Sequence, residues 1–332
     1  MVRPARDLDR RDFIRVVTAG MALMPALGMS GLAQVVGPRR TRVALVRTGD
    51  RKRGVAAALK LLDLTAVKGK QVVIKPNFNS ADDAPGSTHN DTLSQLVTEL
   101  HGLNARRVTL GESSGPPQTR SVMEKKGTFD LARDFRFDVV DFEQITEKDW
   151  VTFPAAGTHW PKGFTLPRLV VDAEYNVSTC CLKTHGFGGV FTMSLKLSVG
   201  LTPKSIRRVM HASPDMRRMI AELNTGYKPD LIVLDGVAAF TDGGPSRGEL
   251  KAGNVMIAGD DRVAVDAVGL AMLKSLGANQ AIMSRKIFAQ EQIARAVDLK
   301  LGVLSADAID IVTGDAESKA VADALTAILA QG

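Results

Sequence analysis

The sequence predicts an α/β fold: a mainly parallel sheet flanked by helices, arranged as two lobes with a pocket between them. Two observations carry that prediction. Short β-branched runs alternate with helical patterns along the chain beyond position 41, joined by short links. Several runs, Leu231-Ile232-Val233-Leu234 most clearly, are apolar without interruption, which suits strands covered on both faces.

Taken in order, strands are expected at Arg42–Val46, Gln71–Lys75, Arg107–Gly111, Asp138–Phe142, Tyr175–Thr179, Leu231–Asp235, Val255–Ala258 and Ala308–Val312. Helices are expected at Arg51–Leu62, Asp91–Leu103, Lys204–Met210, Asp215–Leu223, Arg262–Ser275 and Glu317–Ala330. Thr88 or Asn90 would cap the second helix, and Asp260 or Asp261 the fifth. The stretch Asp149–Pro167, with its prolines, glycines and two tryptophans, reads as the boundary between a first lobe over 42–155 and a second over 156–332, both within one domain.

The N-terminus reads differently. Arg10-Arg11-Asp12-Phe13-Ile14 has the form of a twin-arginine export motif, and the apolar stretch from Val16 to Leu32 is broken by Gly20, Pro25 and Gly28. That stretch is too interrupted for a permanent membrane span of about 20 residues. Residues 1–33 are therefore expected to be a signal peptide cleaved after Ala33, and 34–41 a basic linker. The alternatives are a helix docked on the domain and a retained anchor. On this reading the protein leaves the cytoplasm folded, through the twin-arginine machinery, for a periplasmic or other extracytoplasmic site.

A formal charge of +7 raises the question of nucleic acid. The basic residues are scattered, Arg51-Lys52-Arg53 and Arg207-Arg208 being the densest groups, and aromatics make up only 5%, so a basic, aromatic-interleaved surface is not formed. A positive field suited to small anions is the better use of that charge. The two cysteines, Cys180 and Cys181, are adjacent. Neighbouring cysteines rarely bridge, because the geometry strains the peptide between them. Nor do they supply the four thiolates that usually hold an iron–sulfur cluster, so such a cluster is not expected from this chain; the cofactor is otherwise undetermined.

Ligands in open α/β sheets sit beyond the carboxyl ends of the strands, and polar residues collect there. Lys75-Pro76-Asn77 follows the second strand, Gly111-Glu112-Ser113-Ser114-Gly115 the third, Lys183-Thr184-His185 the fifth, and Asp235 with Asp242-Gly243-Gly244-Pro245 the sixth. Gly111 and Gly115 flank Ser113 as in a nucleophile elbow, but Pro116-Pro117 block the helix that motif needs. Lys183 and His185 would offer a donor to an anion and a titratable base. Cys181, His185 and His89 are candidate metal ligands, with Glu112 able to complete a site. Lys196 is a charge inside an apolar segment; if that segment is buried, Lys196 needs a carboxylate, for which Asp266 is a candidate, or a ligand.

These segments, in their order and spacing over about Val43 to Gly277, resemble domain-of-unknown-function family 362. The matching runs are Ile74-Lys75-Pro76-Asn77, Gly111-Glu112-Ser113-Ser114-Gly115, Leu182-Lys183-Thr184-His185, Ser194-Leu195-Lys196, Asp235-Gly236 with Gly243-Gly244-Pro245, and Asp261 with Val263-Ala264-Val265-Asp266. The resemblance implies a shared pocket of Lys75, Asn77, Glu112, Lys183, His185, Lys196 and Asp235. Relatives often carry a ferredoxin-like module; this chain has no cysteine-rich segment. The expected function is an exported enzyme acting on a small anionic substrate, metal-assisted or redox chemistry remaining open. His185, Glu112 and Lys183 would be catalytic, and Lys75, Asn77, Lys196, Asp235 and Asp242 would bind substrate. The alternative is a non-catalytic periplasmic ligand-binding or cofactor-delivery protein.

Overall fold

A computed structural model describes residues 40–331. The expected signal peptide over 1–33 and most of the 34–41 linker lie outside the described residues.

The strands are β1 (Thr41–Arg47), β2 (Gln71–Lys75), β3 (Arg107–Glu112), β4 (Asp138–Asp141), β5 (Trp150–Phe153), β6 (Phe164–Pro167), β7 (Tyr175–His185), β8 (Val190–Thr192), β9 (Leu231–Gly243), β10 (Gly248–Gly259) and β11 (Ile309–Val312). Nine of them form one sheet in the order β11-β1-β10-β9-β7-β2-β3-β4, with β8 paired to the end of β7. The run β9-β7-β2-β3-β4 is parallel throughout, while β10 is antiparallel to both its neighbours. Strands from the two expected lobes thus interleave in a single sheet.

The uninterrupted apolar strands have the expected cause. Val43, Leu45, Ile232, Leu234, Val255 and Ile257 pack into one core with the helices Arg262–Ser275 and Ala316–Ala330. Their alternating neighbours Ala44, Val46, Leu231, Val233, Met256 and Ala258 pack into a second core, under the helices Arg51–Lys60 and Asn90–Gly102. Side chains alternate across a strand, so a strand buried on both faces must be apolar at every position.

Three local expectations change. The strand expected to end at Thr179 continues to His185, fully buried, so Lys183-Thr184-His185 is strand and not loop. Those residues keep backbone partners in β8, and Lys183 also in β9, which sustains the strand through a polar run. Asp149–Pro167 is not a loose joint: β5 and β6 pair as a hairpin, and Trp160 is buried between them and the helix Met216–Leu223, donating to the Met219 carbonyl at 3.0 Å. The helix at Asn90 is capped by His89, whose Nδ1 accepts from the Asp91 amide. Thr88 is occupied elsewhere, accepting from the Asn77 amide, and Asn90 donates to the Lys126 carbonyl. Asp261 caps the Arg262 helix as expected.

Candidate functional site

The parallel strands β2 and β3 end side by side while β7 runs on past them to His185, and beyond the carboxyl ends of β2 and β3 lies a cavity of about 1120 Å³. Its floor is a buried ion pair. Lys75, the last residue of β2, donates to Glu112 Oε1 and to the Pro76 carbonyl. Glu112, the last residue of β3, also accepts from the amides of Ser113 (2.8 Å) and Phe78 (2.9 Å). Burial pulls the Lys75 ammonium down and pushes the Glu112 carboxyl up, and each partner opposes the other's shift. Three donors on one carboxylate favour its ionised form. Gly200 sits directly on this pair: a Cβ there would lie 2.7 Å from Lys75 Nζ and 3.2 Å from Glu112 Oε1.

Lys196 enters from one wall. It is only 9% exposed, it lines the cavity, and among the described residues its ammonium has neither a hydrogen-bond acceptor nor an ion-pair partner. Burial, then the charges of Lys183 and Arg207, pull it down to about 7. Asp266 is not its partner. That carboxylate accepts instead from the amides of Ser194 (2.7 Å) and Leu195 (2.9 Å), anchoring the short helix Ser194–Leu197 that carries Lys196. Gly189 separates Lys196 from His185: a methyl group there would be 2.8 Å from both Lys196 Cε and His185 Nδ1. His185 Nδ1 accepts from the Gly189 amide at 3.3 Å, which leaves the proton on Nε2. Burial first, and then Lys196 and His211, hold this imidazole far below its ordinary value. His185 is a neutral donor, and the expected role of proton acceptor does not suit it. Thr192, also on the wall, has a buried hydroxyl with no hydrogen-bond partner among the described residues.

The remaining wall comes from residues that sequence reasoning missed. The helix Lys204–His211 places Lys204, Arg207, Arg208 and His211 on the cavity, and the hairpin tip adds Arg247. The signal was present: positions i, i+3, i+4 and i+7 fall on one helical face. Arg207 is buried and donates to the carbonyls of Ser113, Ser114 and Thr202 and to Ser113 Oγ, tying the helix to the end of β3. Ser113 is thereby an acceptor in a structural network, with no base beside it. Lys204 is paired with Glu143. Arg208 and Arg247 have no ion-pair partner among the described residues.

The other expected site residues are placed elsewhere. Lys183 is fully buried beneath the cavity and does not line it. Its three protons go to Asn77 Oδ1 (2.9 Å), the Gly86 carbonyl (2.6 Å) and the Pro245 carbonyl (2.9 Å), so it fastens the β2 loop to the hairpin tip. Burial pulls it down to about 8. Asn77 lines the cavity and accepts that bond. Asp235 is held beneath the 51–60 and 90–102 helices by Arg51 (2.8 Å) and Thr92 (2.7 Å). Asp242 is exposed and bonded to Asn279. Neither lines the cavity.

The candidate metal ligands are not brought together either. Cys181 and His185, four residues apart on one strand, are separated by about 13 Å of backbone rise, and His89 is engaged as a helix cap. Among the described residues no group of three or more His, Cys, Asp or Glu is arranged to hold a metal. Both cysteines are free and buried, their thiols pushed up by burial.

Fold and site together define an α/β protein with a cation-lined cavity at the carboxyl edge of its sheet. Its family follows from comparison: the chain belongs to the DUF362 family (domain of unknown function), which matches residues 72–271 and so includes every residue of the cavity wall. The thylakoid-associated protein sll1697 of Synechocystis sp. is 27% identical over 214 residues, 60% of this chain; the chain spans 62% of that relative's length. Among solved structures, the lactate racemase apoprotein of Thermoanaerobacterium thermosaccharolyticum aligns with a TM-score of 0.45 and 14% identity over 87% of this chain and 86% of that one. Among the described residues, no helix is long and apolar enough to cross a membrane.

Proposed function

We propose that this protein is an enzyme that binds a small organic anion in the cavity above Lys75 and Glu112 and acts on it there. One observation carries the reading: Lys196 is a nine-tenths buried amine on the cavity wall with no acidic partner among the described residues. Holding its ammonium form there is costly unless something pairs with it, and among the described residues no carboxylate does. An anionic ligand is the partner that the site lacks. Arg208 and Arg247 add two further cations with no acidic partner among the described residues, and Glu112, the acid on the wall among those residues, is spent on Lys75.

The test is calorimetric titration of the purified protein with acetate, pyruvate, malate and inorganic phosphate. At least one should bind saturably, and Lys196→Met should weaken it ten- to a hundredfold, the value of one charge-assisted hydrogen bond. If none of the four binds, or if the variant binds as wild type does, the reading fails. A second reading, a binding or delivery protein without turnover, is favoured by His185, which is held neutral and is a poor proton acceptor. Turnover of the bound anion would overturn that second reading.

We also propose export in the folded state, supported by Arg10-Arg11 and the interrupted apolar stretch behind them. A reporter fused after residue 50 should appear outside the cytoplasm, and Arg10→Lys with Arg11→Lys should retain it inside. Unchanged export of the double variant would refute the twin-arginine route.

A further inference from the structure

The four lysines at or under the cavity differ in one respect that bears on chemistry. Lys75 donates to Glu112 and the Pro76 carbonyl, and Lys204 is held by Glu143 and the Pro117 carbonyl. Lys183 spends all three protons on Asn77, Gly86 and Pro245. Lys196 spends none among the described residues. An amine is a nucleophile only as the free base, and a lysine becomes one when it is desolvated or set beside other cations. Lys196 meets both conditions: it is nine-tenths buried, and Lys183 and Arg207 bear on it with like charge. Its stem is also fixed, since Asp266 anchors the helix beneath it and the Gly189 backbone closes against its Cε.

We propose that Lys196 is a covalent catalytic residue, and that the anion bound here is a carbonyl compound, a small oxo acid, captured as an imine on Lys196 Nζ. The inference rests on the anion-binding reading above and adds the electrophile to it. The neutral Nζ lone pair attacks the carbonyl carbon, and the π pair moves to oxygen. The resulting carbinolamine loses a proton from nitrogen and gains one on oxygen. Water then leaves as the C=N bond forms, so one amine and one carbonyl give one imine and one water, with no oxidant or reductant. The guanidinium groups of Arg208 and Arg247, which have no ion-pair partner among the described residues, are available to the carboxylate of such an acid, and His185, on the same cavity wall, offers its Nε2–H as a neutral donor to the bound molecule.

The experiment is reductive trapping on the full chain. The protein is incubated with pyruvate, glyoxylate or 2-oxoglutarate and sodium cyanoborohydride, then analysed by intact mass and peptide mapping. The expected result is a single adduct whose mass is that of one acid less one oxygen atom (water lost on imine formation, two hydrogens gained on reduction), localised on Lys196. Trapping should be at least tenfold faster than at any exposed lysine, should quicken between pH 6 and pH 8, and should vanish in Lys196→Arg, which keeps the charge but cannot form the imine. Lactate serves as the non-carbonyl control and should bind without modifying the protein. If an acid binds by calorimetry and no adduct forms on Lys196, imine capture is overturned while anion binding stands. If nothing binds and nothing is trapped, both fall. Slow labelling spread evenly over surface lysines also overturns the proposal.

Discussion

The Lys75–Glu112 pair gives the sharpest quantitative expectation. Lys75 is 4% exposed and Glu112 1%, and the carboxylate receives the ammonium and two backbone amides. In Glu112→Gln the volume is conserved and one oxygen remains to accept from an amide. The new NH₂ faces donors, and the ammonium is left buried without its charge partner. Removing one member of a buried pair costs about 3–5 kcal/mol. Much of that is the unpaired charge, so removing Lys75 as well should restore stability: Lys75→Met with Glu112→Gln should be roughly 2 kcal/mol or more above the single variant. Urea unfolding at pH 7, followed by far-UV circular dichroism for each member of the cycle, measures both quantities. With a slope of about 3 kcal/mol/M, the single variant should unfold about 1–1.7 M earlier than wild type. A loss below about 1 kcal/mol, or a double variant no more stable than Glu112→Gln, would show that the pair is not buried and coupled as described.

Three further outcomes follow from the same geometry. Affinity for a non-carbonyl anion such as inorganic phosphate should fall as pH rises from 6 to 8, at most tenfold per unit, because Lys196 is pulled down to about 7 and its ammonium form attracts the anion where its free base does not; calorimetry at several pH values should find this dependence flattened in Lys196→Arg, and an unchanged profile would refute the assignment. Gly200→Ala should cost about 1–3 kcal/mol and weaken anion binding, since a Cβ 2.7 Å from Lys75 Nζ pushes on a pinned ammonium; a thermal melt and a titration equal to wild type would count against that contact. Asp266 is raised by burial to about 7, above its unfolded value of 3.8, so its charging cost appears in the folded state as pH climbs between the two. Stability owed to protonated Asp266 is therefore present at pH 3–4 and lost as pH passes 7, and Asp266→Asn should flatten the slope of stability against pH across that window, as read by urea midpoints.

How much of the site could be read from the chain depends on which physical rule governed each residue. Lys75 and Glu112 are the last residues of apolar strands, and the carboxyl-end rule places such residues at the ligand edge whatever the strand order. Lys196 could be singled out because a charge in an apolar segment demands compensation. The same rule misplaced Asp235 and Asp242. It names an edge but not a depth, and β9 runs eight residues past Asp235 into the hairpin. Lys183 and His185 stand two positions apart on one strand, yet one is sealed under the loops and the other opens on the cavity. That difference is made by Asn77, Gly86 and Pro245, which arrive from distant parts of the chain.

The α/β class, the parallel strands and the buried two-sided sheet were local properties, written in runs of apolar residues and their spacing, and they need no partner to be recognised. The basic face of the 204–211 helix was equally local, though its meaning was not. Where that face points, why Asp266 holds the amides of Ser194 and Leu195 and not Lys196, and why Lys183 fastens the β2 loop to the hairpin tip beneath the cavity depend on contacts between segments tens to hundreds of residues apart. A buried charge takes its chemistry from whatever surrounds it, and those surroundings are assembled by packing between segments that are distant in the chain.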